Sequence, residues 1–386
     1  RVRRMKRAIF EPEHQDFRET VSRFVSDEIM PNFEQWEEDG IVPRELFQKA
    51  GEKNMLAMSV SEEYGGLGLK DFRFNQIVGE EGYYQGATGA MLGLTLHNDV
   101  CLPYFEEYCT DEQKERWLPG IVDGSLITAV AMTEPGIGSD LASMSTKAIR
   151  NGDHYVVDGS KTFITNGINA DLIITAVKTD PKEKHRGMSI IIIERGMAGF
   201  DRGRNLEKVG MHSQDTAELF FNEVEVPVEN LLGNEGDGFK YLVSNLAQER
   251  MSIAVAAIAA AQAALNWTLK YVKERYAFGT PIGSFQNSRF QMAEIKTEVD
   301  IGTTYIDQCV AALNEGTLTV EDAAQAKWWS TEMADRVIDK CVQLHGGYGY
   351  MLEYPIARAY ADNRVTRIYG GTTEIMKEIV GRSLGL

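Results

Sequence analysis

Glu249 and Arg250 stand side by side in the run Gln248-Glu249-Arg250, just ahead of an alanine-rich stretch. A carboxylate placed there acts as a general base if its surroundings exclude water, because desolvation disfavours the charged form and makes it more basic. Read from the residues alone, Glu249 is a solvated helix glutamate, since Glu is mostly exposed in folded proteins. Near the other end, residues 364–378 read RVTRIYGGTTEIMKE. Gly370 and Gly371 let a backbone approach a ligand closely, but they bring amides and no acid or base. If that loop belongs to an active site, its proton chemistry must come from another part of the chain.

Four further stretches carry weaker signals. MTEPGIGSD, residues 132–140, offers the hydroxyls of Thr133 and Ser139 and glycines that let amides meet a ligand; a polar hairpin loop explains it equally. FITNG, residues 163–167, sets an aromatic face beside Thr165, which suits a flat ring ligand or a strand end packed into the core. ERYAFGTPIGSFQ, residues 274–286, contains Arg275, whose fixed cationic fork suits a phosphate as well as a surface ion pair. QLHGGYGY, residues 343–350, ends a helical pattern on glycines. His345 in that stretch stands alone, and a lone histidine at a helix end is more often hydrogen-bonded structure than a base. No complete GxGxxG occurs, so a Rossmann nucleotide site has little support, and no His, Cys or acidic spacing suggests a metal.

These residues must be held by a chain of 386 residues, enough for two or three domains, with 43% hydrophobic content for a sizeable core. The formal charge of −17 argues against a nucleic-acid surface, which needs clustered Lys and Arg. Four cysteines without paired spacing fit buried, reduced thiols. The basic opening RVRRMKR has no apolar signal core behind it, and the longest apolar run, residues 253–261, is far short of a membrane span. A soluble protein is expected, in the cytoplasm by default, with the mitochondrial matrix as the alternative.

The first third reads helical: Phe17, Val21 and Phe24 recur at helical spacing, and DEQKERWL looks like a charged helix face. Between about 125 and 227, β-rich runs are separated by turn residues, with Asp158-Gly159 as a strong hairpin signal. Strands there do not alternate with helices, which disfavours a doubly wound sheet. The last third returns to long amphipathic patterns, one from about 246 to 276, one carrying Ile295, Val299 and Ile306, one carrying Met333, Val337 and Cys341. Their succession suggests an antiparallel bundle. The expected division is a helical domain over 1–124, a central β domain over 125–238 and a helical bundle over 239–386.

Taken together and in order, MTEPGIGSD, FITNG, QER, ERYAFGTPIGSFQ, QLHGGYGY and EYPIARAYADNRVTRIYGGTTEI resemble the acyl-CoA dehydrogenase family over essentially the whole chain. The resemblance implies an α+β multidomain fold with an N-terminal helical domain, a β-barrel-like centre and a C-terminal four-helix bundle. It also implies FAD, a homotetramer, and electron-transferring flavoprotein as electron acceptor. It assigns Val130, Met132, Thr133, Gly138 and Ser139 to the flavin, Ser139 also lying near CoA, and sets Phe163, Ile164 and Thr165 about the isoalloxazine. Arg275, Gln286, Gln343, Leu344, His345, Gly346 and Gly347 would hold the pyrophosphate and adenine, partly across a subunit contact, and Thr372, Thr373 and Glu374 would close over the cofactor. Ala247, Gln248, Arg250, Gly370 and Gly371 would line the acyl-CoA site, with residues 91–95 along the acyl chain.

Many members of the family place a glutamate directly after the tyrosine of the final loop, where this chain has Gly370 after Tyr369. Its long-chain and isovaleryl branches carry the glutamate on the helix opening the bundle, which matches Glu249. The resemblance therefore makes Glu249 the α-proton base, with a flavin ribityl hydroxyl and the Gly370 amide holding the thioester oxygen. IYGGT and GGYGYMLEYPIA resemble the long-chain branch more than the isovaleryl one, so medium- to long-chain acyl-CoA is the expected substrate. A short branched-chain acyl-CoA dehydrogenase, an oxidase and a silent flavin-binding scaffold are the alternatives.

Overall fold

A computed structural model describes residues 5–386. The chain opens with helices, from Pro12–Phe24, which starts on its proline and buries Val21 and Phe24, to Asp111–Asp123. That last helix is set by its ends. The Thr110 side chain accepts the Gln113 N–H while the Gln113 side chain returns a bond to the Thr110 N–H. Gly124 then stops it at φ +79°, where a Cβ would collide with the Phe47 carbonyl.

Eight strands follow: β1 Thr128–Ala131, β2 Lys147–Asn151, β3 His154–Thr165, β4 Leu172–Lys178, β5 Met188–Glu194, β6 Phe200–Asn205, β7 Thr216–Pro227 and β8 Leu231–Leu232. They form one sheet in the order β6-β7-β3-β2-β4-β5-β8, mostly antiparallel, with β1 running parallel to the start of β4. β4 is buried along its whole length and its Ile and Val side chains pack both ways, which is why it reads as a continuous apolar run.

The β2–β3 hairpin does not turn at Asp158-Gly159, as the sequence suggested. It turns at Gly152-Asp153, with Gly152 at φ +66° between the paired Asn151 and His154. Asp158 and Gly159 lie inside β3, where the pairing with β7 slips by a residue. Gly159 is required there for a different reason: a Cβ would run into Thr146. A second slip, between Lys161 and Ile164, contains Phe163 at φ +58° and turns its ring outward.

The C-terminal part packs Gly238–Glu274, Gln286–Asn314, Val320–His345 and Thr373–Ser383 as long helices, with Pro355–Asn363 beside them. The first begins eight residues before the apolar periodicity becomes readable; its opening turns bury Gly238, Tyr241, Leu242 and Asn245, with Tyr241 and Leu242 packed into an apolar cluster that includes Ile174 and Ile190 of the sheet. Ala254, Ala257, Ala261 and Ala264 line its inner face and let the facing helices come close. This helix is long and apolar enough by composition to cross a membrane, yet most of its apolar stretch is buried inside the bundle. Arg7 ties the first helical part to the bundle by bonding Glu80 at 2.6 Å and Asp307.

Candidate active site

The long helix Gly238–Glu274 presents Glu249 and, one turn later, Ile253 to the loop of residues 369–371. Gly370 sits there at φ +63°, a conformation glycine takes without strain. A Cβ on Gly370 would lie 3.5 Å from Oε1 of Glu249 and would collide with Cδ1 of Ile253. The helix carboxylate thus occupies the region into which a side chain at position 370 would grow.

Glu249 is half-buried, and burial raises its pKa, opposed by the cations Arg250 and Lys327. Burial outweighs both. The carboxylate in turn pushes the Tyr104 and Tyr369 hydroxyls and the Cys101 thiol up, beyond what their own burial does. Arg250 is 4% exposed, and its Nε and Nη1 have no hydrogen-bond partner among the described residues. A buried guanidinium with free donors is costly to keep, so it marks a place where an acceptor from outside the chain fits. Gln248 is turned away: its amide donates to the Asp99 carbonyl at 2.9 Å. Ala247 is partly buried on the same turn.

On the β domain, the segment after β1 and the bulge of β3 are joined. The Thr162 N–H donates to the Thr133 carbonyl at 2.9 Å, and Nζ of the fully buried Lys161 donates to the Met132 carbonyl at 2.9 Å and to Glu134 at 3.0 Å. Glu134 also accepts the N–H groups of Ser145 and Thr146, and these partners hold its pKa down at about 2 against its burial. Val130 is half-buried on β1, Gly138 and Ser139 are exposed, and a Cβ on Gly138 would meet nothing within 4 Å. Phe163 is 69% exposed on its strained backbone, while Ile164 is buried and pairs with Ala217, and Thr165 pairs with Thr216. A large aromatic held outward at positive φ is the kind of strain that collects at ligand sites.

A third surface is a cleft of about 500 Å³ lined by Tyr271, Arg275, Ile282, residues 343–348 and Met351. Arg275 lies over the Tyr348 ring at 5.4 Å, exposed and free to meet an anion. His345 points inward, as the plainer reading had it. Its Nδ1–H donates to the Cys341 carbonyl at 2.8 Å and its ring stacks on Tyr271 at 4.3 Å, so it offers the cleft backbone rather than a base. Gln286 opens its helix exposed and does not line this cleft. Thr372 caps the last helix by accepting the Ile375 N–H, Glu374 is exposed, and Thr373 is buried with its hydroxyl unpartnered among the described residues.

Three domain models match the chain in order: acyl-CoA dehydrogenase N-terminal domain over 11–125, middle domain over 129–224 and C-terminal domain over 236–385. The chain belongs to the acyl-CoA dehydrogenase family. The mitochondrial long-chain specific acyl-CoA dehydrogenase of Mus musculus is 44% identical over 380 residues, 98% of this chain and 88% of that protein. The mitochondrial isovaleryl-CoA dehydrogenase of Solanum tuberosum is 36% identical over 379 residues, 97% of this chain and 91% of that one. The crystal structure of an acyl-CoA dehydrogenase from Geobacillus kaustophilus superposes with a TM-score of 0.96 at 49% identity, covering 99% of this chain and 100% of that one. A glutaryl-CoA dehydrogenase from Mycobacterium smegmatis in complex with FADH2 superposes with a TM-score of 0.90 at 26% identity, over 97% and 95% of the two chains.

An acyl-CoA dehydrogenase is an FAD-dependent oxidoreductase. The surfaces of this chain fit that cofactor: an outward aromatic, open glycine amides, an exposed arginine beside a cleft and the orphaned Thr373 hydroxyl. Sequence reasoning missed Lys161 with Glu134, and Lys327. Lys327 did leave a trace, as the one charged residue in the stripe Ala323, Ala324, Ala326, Ser330 and Ala334, all of which are buried.

Proposed function

We propose that the chain dehydrogenates medium- to long-chain saturated acyl-CoA thioesters to trans-2-enoyl-CoA, as a step of fatty acid β-oxidation, with Glu249 taking the α-proton. The approach of Glu249 Oε1 to within 3.5 Å of where a side chain at Gly370 would begin is the observation that carries this reading. Bound FAD supplies the two-electron acceptor for the hydride that leaves the β-carbon. The α C–H electron pair then forms the new double bond, and the proton resides on the Glu249 carboxylate.

The remaining work falls to the chain's own groups. The Gly370 amide donates to the thioester oxygen as negative charge develops there, which makes the α-proton acidic enough to move. Burial keeps the carboxylate's pKa raised, and Tyr104 and Tyr369 lie close enough to feel its charge. Met132, Thr133, Gly138 and Ser139 with Phe163, Ile164 and Thr165 would seat the flavin, and Arg275 with residues 343–347 its phosphates. Phe278, 98% exposed, and the exposed Tyr276 and Tyr350 lie in and near the segments lining that cleft and call for cover. A homotetramer would supply it, tying FAD retention to assembly, and electron-transferring flavoprotein would take the electrons onward. Four free buried cysteines suit a reducing compartment, the cytoplasm or the mitochondrial matrix.

The long-chain assignment draws on the 44% identity to the long-chain enzyme against 36% to the isovaleryl one. Anaerobic mixing of the holoenzyme with palmitoyl-CoA should bleach the flavin absorbance, and Glu249→Gln should hold FAD without bleaching. A turnover series over chain length that peaked at a short branched thioester would replace the long-chain assignment with the isovaleryl-type one. Flavin lost on subunit dissociation is the expected result for a shared cofactor site.

A further inference from the structure

We propose that Lys327 is a positioning residue for this reaction, holding the 369–371 backbone from inside the bundle so that the Gly370 amide faces the substrate opposite Glu249. Lys327 is fully buried on the helix Val320–His345. Its Nζ donates to the Tyr369 carbonyl at 2.8 Å and to the Gly371 carbonyl at 2.5 Å, one on each side of Gly370. Among the described residues no carboxylate forms an ion pair with it. A methionine would fill the same volume without the cost of burying an ammonium. What only the ammonium provides is a pair of N–H donors and a charge.

Those donors act through peptide geometry. In a trans peptide the C=O of one residue and the N–H of the next point in opposite directions. Fixing the Tyr369 carbonyl on Lys327 therefore fixes the Gly370 N–H pointing away from it. That N–H has no acceptor among the described residues, so it is free for a ligand oxygen. A cation on the carbonyl also polarises the peptide and strengthens its N–H as a donor. The glycines at 370 and 371, at φ +63° and +91°, give the chain the curvature that turns both flanking carbonyls inward.

The same charge bears on the base. Lys327 faces Glu249 and Arg250 on the long helix and Glu374 on the last one. Glu249 is faced by Arg250, Lys327, Cys101, Tyr104 and Tyr369. Removing the ammonium removes one of the two cations that oppose the effect of burial on Glu249.

The inference rests on Glu249 as the base, and the test separates the two. The FAD-loaded enzyme is given 3,3-dimethylhexadecanoyl-CoA in D2O, and deuterium entry at the α-carbon is followed by NMR. This thioester has no β-hydrogen, so exchange reports the proton step without net oxidation. Lys327→Met should slow exchange on the order of 100-fold, the scale of losing an oxyanion donor, and move its acid limb up by about one pH unit. Lys327→Gln keeps N–H donors without the charge; it should recover at least about tenfold of that rate while keeping the shifted limb. Parental rate and limb in both folded variants would overturn the proposal. Should Lys327→Met fail to fold, the limb of Lys327→Gln decides alone, shifted in favour and parental against. Glu249→Gln run alongside should not exchange; exchange at the parental rate would remove Glu249 as base, and this inference with it.

Discussion

Replacing Gly370 with alanine puts the packing between loop and helix to a quantitative test. The residue sits at φ +63°, where an alanine pays roughly 1 kcal/mol for its Cβ. The added methyl also overlaps Cδ1 of Ile253, and overpacking of that kind costs about 1–3 kcal/mol. Gly370→Ala should therefore lose about 2–4 kcal/mol. Ile253→Val removes the offending Cδ1 from a residue only 9% exposed and should cost about 1 kcal/mol by itself. If the two groups occupy the same space, the double variant loses only about 1–2 kcal/mol rather than the sum, a coupling of roughly 2 kcal/mol. Urea unfolding followed by tryptophan fluorescence, at fixed protein and FAD concentration, measures the cycle. Additivity within about 0.5 kcal/mol would show that the loop and helix do not meet as described. Turnover adds a second reading: the methyl stands 3.5 Å from Oε1 of Glu249, so the double variant should be restored in stability and still slow.

Glu249→Gln should lower the rate of flavin bleaching by up to about 10⁴-fold with FAD still bound, the scale of a lost general base. In the parent, the rate should fall with decreasing pH along a limb lying above 4.5, the ordinary glutamate value, because burial raises the carboxyl's pKa; stopped-flow bleaching across pH locates it. Glu134→Gln leaves Lys161 buried without its anion and should destabilise by about 3–5 kcal/mol, read by thermal unfolding, while loosening the 132–139 loop enough to raise the FAD dissociation constant. Asp362 accepts the Met211 N–H, and burial lifts its pKa from 3.8 to about 7. The folded state then keeps a proton that the unfolded state releases, so this group's contribution to stability declines as pH rises from about 4 through 7. Asp362→Asn keeps an acceptor without the charge and should gain on the parent at pH 8 while gaining little at pH 4, measured as the pH dependence of the unfolding midpoint.

The architecture was legible because its signals are long-range in sequence and redundant. Three helical faces carried by Ile295, Val299 and Ile306, by Met333, Val337 and Cys341, and by the alanine run announce a bundle whatever the detail of each turn. The hairpin was misplaced because Asp158-Gly159 and Gly152-Asp153 both carry a glycine that demands explanation. One needs it for a turn, the other to clear Thr146 just ahead of β2, and only the fold distinguishes them. Individual glycine loops in the site were weak evidence singly and gained meaning from their order. Charges were the blind spot. Lys161 and Lys327 look like ordinary surface lysines one residue at a time, yet both are fully buried and both bond backbone carbonyls of segments assigned to ligands.

That shared habit bears on how the site stays rigid without regular structure. On the proposed reading residues 132–139 and 369–371 offer amides to ligands, and the carbonyls of Met132, Tyr369 and Gly371 take their partner from outside any helix or sheet ladder. A buried lysine resolves the conflict from behind: it takes carbonyls of the loop and leaves the opposite edge of each peptide unbonded. The proposed base has the converse arrangement. Glu249 sits in the interior of a 37-residue helix, where its backbone is already satisfied and its side chain alone is left for the proposed proton transfer. Placing the carboxylate on that helix leaves the loop with nothing but an amide to present. Ile253, on the following turn, then fills the space a side chain at 370 would need. Residues 249, 253, 327 and 370 thus behave as one unit, and a substitution at any of them should alter the cost of substitution at the others.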